Sequence, residues 1–156
     1  MLNLDLHKRN ENTRVVLTSP VQFELSQIRE HFDESLTAIE NQYTVFENLV
    51  NEGKLEDGKN ILRSQIVFAE GLLDFFIHEI SKYALFQMFA GNWQKSQQYD
   101  NFQVPMRCVE EAMNSDESKK WFFDFLNEKI CREVYLSAES MKNQLNLIGV
   151  PFGEVM

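Results

Sequence analysis

At 156 residues with 44% hydrophobic side chains, the chain has the size and composition of one domain with a packed core. Its 6 Gly and 3 Pro are too few for an all-β protein with many turns. Acidic residues outnumber basic ones 24 to 15, and the formal charge of −9 excludes attraction of nucleic acid by net charge, leaving only a local basic patch for that role.

Residues 1–18 read as a polar N-terminal arm whose only apolar run is the brief "RVVL", and 19–156 as a single helical bundle domain. The first 14 residues hold no apolar stretch of the signal-peptide kind. "SPVQ" marks a helix start: Ser19 as cap, Pro20 in the first turn, Gln22 completing a capping box. Leu25, Ile28, Phe32, Leu36, Ile39, Tyr43, Phe46 and Val50 then recur every three or four residues, one face of a long amphipathic helix. "NEGKLEDGK", 51–59, reads as the turn that ends it.

A second long helix follows, ending at Gly91 and Asn92. Traced at about 100° per residue, it is apolar around most of its circumference, with Leu62, Ile66, Ala69, Leu73, Phe76, Ile77, Ile80 and Ala84 on one broad side. That marks it as the centre of the bundle. Arg63, Glu70, Asp74, His78 and Lys82 share the remaining arc as one charged stripe. "NWQKSQQYDNF" is a loop, "VPMRCVEEAMN" a short helix, and "KKWFFDFLNEKI" another whose Trp121, Phe122, Phe125, Leu126 and Ile130 form a core face. Ser137 caps a last helix, "AESMKNQLNLIG", stopped by Gly149 and Pro151. The expected fold is an all-α helical bundle: two long antiparallel helices and two or three shorter ones.

Asp74, Glu79 and Lys82 interrupt the longest apolar stretches, so none reaches the ~20 residues of a membrane span. The expectation is a soluble cytoplasmic protein with no membrane partner. Cys108 and Cys131 belong to no Cys-x-x-Cys pair and fit half-buried, reduced thiols of a cytosolic protein.

The stripe is the place to look for chemistry. Glu70, Asp74 and His78 lie one turn apart, a spacing at which carboxylates and an imidazole can share a metal. The sharper metal patterns are missing: Lys82 stands where a zincin places its second His, and no Glu-x-x-His of the di-iron bundles occurs. The plainer reading is a row of ion pairs, Arg63 near Glu70 and Asp74 near His78, each worth ~0.3–0.5 kcal/mol when exposed. His7 sits in the polar arm and His31 on the boundary of the first helix. No phosphate-binding glycine loop and no nucleophile elbow is present. No cofactor and no metal is expected.

A long first helix, a second reading "RSQIVFAEGLLDFFIHEISKYAL", then "KKWFFDFLNEKI" and a last helix ending "NLIGVPFGEV" form an order that resembles the HEPN superfamily, and within it the RiboL-PSP-HEPN type. The resemblance covers roughly Pro20 to Met156 and is carried by diffuse motifs, above all the acidic residue inside an aromatic run in "LLDFFIHEI". It implies a helical bundle, commonly a homodimer, among RNA-cleaving toxins, toxin–antitoxin components and defence ribonucleases. It also implies that an Arg-x4-6-His motif cleaves RNA in a cleft between two subunits, with Glu70, Asp74 and His78 in supporting catalytic roles. This chain departs from the pattern: it holds no such motif, and Arg9-Asn10 in "HKRNENTR" has no His at the required distance. The sequence runs out about where a helix bearing the motif is expected to begin. The chain by itself is therefore expected not to cleave RNA well. The competing expectation is an acidic helical interaction protein, an inhibitor or adaptor, docking a basic surface on its partner.

Overall fold

The computed structural model describes residues 23–114 and 119–151. Among them it is all-helical: α1 Leu25–Asn51, α2 Leu55–Ala90, α3 Met106–Asn114, α4 Lys120–Ile130 and α5 Ala138–Leu147, with a 3-10 turn at Tyr99–Asn101. The all-α bundle with two long antiparallel helices is the observed architecture. Ser19, Pro20, Gln22, "RVVL", His7 and Ser115 lie outside the described residues.

The beginning of α1 differs from the expected one. Glu24 is extended (φ −74°, ψ 153°) and acts as the N-cap, and its backbone N–H donates to Gln27 Oε1 at 2.9 Å. A helix from Pro20 therefore does not run continuously into α1. The turn between the long helices is also shorter than the sequence suggested. Only Glu52, Gly53 and Lys54 separate them, with Gly53 at φ +76°, and "LEDGK" already belongs to α2. Gly58 does not make a turn; it admits a close approach. A Cβ there would stand 3.1 Å from Phe46 Cδ2 of α1.

The two long helices pack chiefly on each other along a seam that includes Phe32 against Phe76, ring centroids 4.7 Å apart. Gln65 Nε2 reaches across it to the carbonyl of Ile39 at 2.7 Å. The second half of α2 is wrapped by the short helices. Ile77, Ala84 and Leu85 form one buried cluster with Cys108 of α3, Phe122, Phe125, Leu126 and Ile130 of α4, Tyr135, and Ile148 just past α5. Phe89 stacks on Phe122 at 4.2 Å, and Phe102 meets both Phe122 and Phe125 edge-on. The aromatic run of α4 is core, as its helical spacing indicated. α5 has the expected start: Ser137 Oγ accepts from the Ser140 N–H at 3.0 Å. At its far end Gly149 takes φ +82°, the left-handed conformation that closes a helix.

The expectation that the whole of α2 is central needs correction. Its N-terminal half has only α1 beside it, and Ile66, Val67 and Phe68 are 60%, 64% and 55% exposed. Among the described residues, a two-helix arm of α1 and α2 is thus continuous with an end where α3, α4 and α5 gather around the second half of α2. No helix among the described residues is long and apolar enough to cross a membrane.

Candidate functional site

The charged stripe of α2 passes from the arm into the bundle, and its members change role along the way. Arg63 and Glu70 are exposed on the arm. They do not pair with each other: Arg63 Nη1 donates to Asn60 Oδ1 at 2.7 Å, and Glu70 has no ion pair or hydrogen bond among the described residues. Asp74 and His78 do meet, with His78 Nε2 3.7 Å from Asp74 Oδ2. Both are spent on the segment that joins α4 to α5. Asp74 Oδ1 accepts the backbone N–H of Tyr135 at 2.7 Å. His78 Nε2 lies 3.1 Å from the carbonyl oxygen of Glu133, a bond that requires the proton on Nε2. The Tyr135 ring packs edge-on against the imidazole at 4.8 Å. Tyr135 is buried, and that burial, with Glu133 and Asp74 nearby, pushes its phenol well above the ordinary value.

One turn on, Lys82 is largely covered, its side chain 14% exposed. Its ammonium pairs with Glu79 Oε1 and donates to Asn127 Oδ1 of α4 at 3.2 Å. Asn127 in turn donates to the Phe123 carbonyl at 2.9 Å, a bond back into its own helix. The stripe is therefore a clasp. It satisfies the polar backbone of a loop that carries no regular structure, and it ties α2 to α4. A buried backbone donor without a partner costs ~1–3 kcal/mol, which is what the Asp74 carboxylate averts.

The loop held by the clasp walls a cleft of about 470 Å³, bordered by Glu133, Tyr135, Ser140, Asn143, Gln144 and Asn146. Gln144 is buried and its Nε2 has no hydrogen-bond partner. Beside these amides and hydroxyls the lining includes Phe102, Ile130 and Leu147, so the cleft is mixed polar and apolar.

A second cleft, of about 410 Å³, adjoins the first at Lys129 and Glu133 and gathers Arg107, Lys129 and Arg132. This is the local basic patch that the composition left room for. Much of its charge is already answered: Arg107 Nη2 donates to both oxygens of Glu128 at 2.8 Å, and Arg132 Nη2 to one of them at 2.9 Å. The hydrogen bond from Arg107 holds the Glu128 carboxyl below its ordinary range and raises the guanidinium in return. Lys129 sits over the Phe102 ring at 4.4 Å.

The remaining candidates are dispersed. His31 is exposed on α1, edge-on to Phe75 at 5.0 Å. Cys108 is buried, Cys131 is exposed, and both are free. Among the described residues no three His, Cys, Asp or Glu are grouped to hold a metal ion. Sequence reasoning found the stripe but missed its partners Glu133, Tyr135 and Asn127. They lie 55, 61 and 45 residues from the side chains they meet, and no local pattern signals them.

Comparison with protein-family models, with curated proteins and with solved structures returned no match.

Proposed function

We propose that this chain is the HEPN-like helical scaffold of an RNA-targeting toxin or defence ribonuclease, without the Arg-x4-6-His pair in its own sequence. The observation that carries the reading is the meeting of Asp74 and His78 on the helix that bears "LLDFFIHEI", behind the loop that walls a cleft. In this reading the two are positioning residues: they fix the 131–137 loop, and with it one wall of the cleft; an Arg and His that act on RNA would have to come from outside this sequence. Glu70, exposed and without a partner on α2, takes no part in that wall.

The first test is the coding DNA downstream of Met156. A frame that continues into a helix with Arg-x4-6-His is expected, and the extended chain should then cut single-stranded RNA while the present chain does not. A stop codon directly after Met156 sinks the reading.

The alternative, an acidic interaction protein that docks a basic partner, is favoured by α1. Glu30, Asp33, Glu34, Glu40 and Glu47 are all exposed along it, with Arg29 as its one basic side chain apart from His31. Such an acidic ridge speeds encounter with a positive surface and imparts strong salt dependence. Capture of a basic protein that is released by moderate salt, and lost on charge reversal of Asp33 and Glu40, is the expected result under this alternative.

A further inference from the structure

We propose that the cleft of about 470 Å³ beside α5 is a binding site for a zwitterionic α-amino acid with an uncharged side chain. The proposal calls for no RNA and no residue outside this chain, so it stands or falls separately from the ribonuclease reading. Two unpaired charges of opposite sign carry it. Lys129 and Glu133 border this cleft and its neighbour, and neither forms an ion pair among the described residues. Four residues apart in sequence, they would pair along one helix face if α4 ran on. The helix ends at Ile130 and the chain turns at Cys131 and Arg132, so the two side chains do not meet.

Charge selects the ligand. The Lys129 ammonium is held by the Gln103 carbonyl at 3.3 Å and lies over the Phe102 ring, but no carboxylate answers it. Arg107 and Arg132 are already spent on Glu128. The Glu133 carboxylate has no hydrogen-bond donor among the described residues. An anion such as phosphate gains Lys129 and is repelled by Glu133, and a cation meets the reverse. A ligand with both charges a few atoms apart gains from both. An α-amino acid is the simplest such molecule: its carboxylate suits Lys129 and its ammonium suits Glu133.

The rest of the lining suits an uncharged side chain. Phe102, Ile130 and Leu147 offer apolar contact, and Asn143, Gln144 and Asn146 of α5 border the cleft with carboxamides that make no hydrogen bond among the described residues. Gln144 is the most telling of these. It is 8% exposed, and its Nε2 is a donor without an acceptor. An unmet buried donor costs stability while the cleft is empty. The last torsion of a glutamine is soft, so its amide can turn toward a ligand whose side chain ends in an acceptor. Free glutamine combines the two charges with such an end, and the cleft volume falls within the usual range for small-molecule sites.

The test is calorimetric titration of the purified chain with glutamine, N-acetylglutamine and glutamine α-amide. Glutamine is expected to bind once per chain, and blocking either of its charges should weaken binding about tenfold or more. Glu133→Gln should abolish the advantage of glutamine over the N-acetyl form and keep its advantage over the α-amide. Lys129→Met should do the reverse. Gln144→Leu should reduce the preference for glutamine over norleucine. Each variant is judged by the ratio of two ligands on the same protein, so a general loss of stability does not imitate the result. Absence of binding by the wild type at millimolar glutamine overturns the proposal. So does equal binding of the free and blocked forms, variants that leave these ratios unchanged, or inorganic phosphate binding in place of glutamine.

Discussion

The two halves of α2 are alike in sequence and opposite in circumstance. Around Ile66 the helix carries three consecutive apolar residues that stay more than half exposed; around Leu85 it carries "YALF" with Leu85 wholly enclosed. Both stretches have the hydropathy of a core. What separates them is the number of neighbouring helices: one for the arm, several for the bundle end. The charged stripe follows the same division. Arg63 and Glu70 on the arm are solvated, whereas Asp74, His78 and Lys82 are half-buried and engaged with the loop and α4. Apolar or charged character alone therefore does not say what a residue on this helix does; position along the helix does.

The strongest way to test that division is through Lys82. Lys82→Met leaves the Glu79 carboxylate buried without its ammonium, and should cost about 3–5 kcal/mol in urea unfolding. Lys82→Met combined with Glu79→Leu should recover most of that loss, because no charge is then stranded. A small effect of the single change would mean that the clasp is wet rather than enclosed.

Truncation on the two halves compares them directly. Leu85→Ala should cost about 2–5 kcal/mol. Ile66→Ala should stay within about 0.5 kcal/mol. Equal costs would erase the distinction between arm and bundle.

Asp74→Ala acts at the junction of the two regions. It orphans the Tyr135 N–H and should cost about 1–3 kcal/mol. Faster hydrogen exchange should appear at 131–137 while helical circular dichroism changes little. Asp74→Asn keeps an acceptor and should cost less. Unchanged exchange in the loop would remove the clasp's structural role.

The smallest effect sharpens the comparison within the arm. Gly71→Ala replaces a helical glycine in open space and should stabilise the chain by about 0.5–1 kcal/mol. Gly58→Ala should gain less or lose stability, since its Cβ presses on Phe46. Identical gains at both sites would show that α1 and α2 are looser at the arm's tip than 3.1 Å implies.

Much of this was legible in the sequence. The three-to-four-residue periodicity of Ile28, Phe32, Ile39 and Phe46, the Ser137 cap and the stops at Gly91 and Gly149 place helices because they follow from local backbone and hydrogen-bond requirements. The spacing of Asp74 and His78 likewise foretold that they meet. Glycine roles were partly misread: in "NEGKLEDGK" both glycines look like turn formers, yet only Gly53 has a positive φ and Gly58 serves a contact. Tertiary structure alone decided which half of α2 is covered, and which charges hold the loop. The reason is range. Helix pattern is set by neighbours three and four residues apart, whereas the partners of Asp74 and His78 arrive from 55 or more residues away, along a segment with no regular structure to announce it.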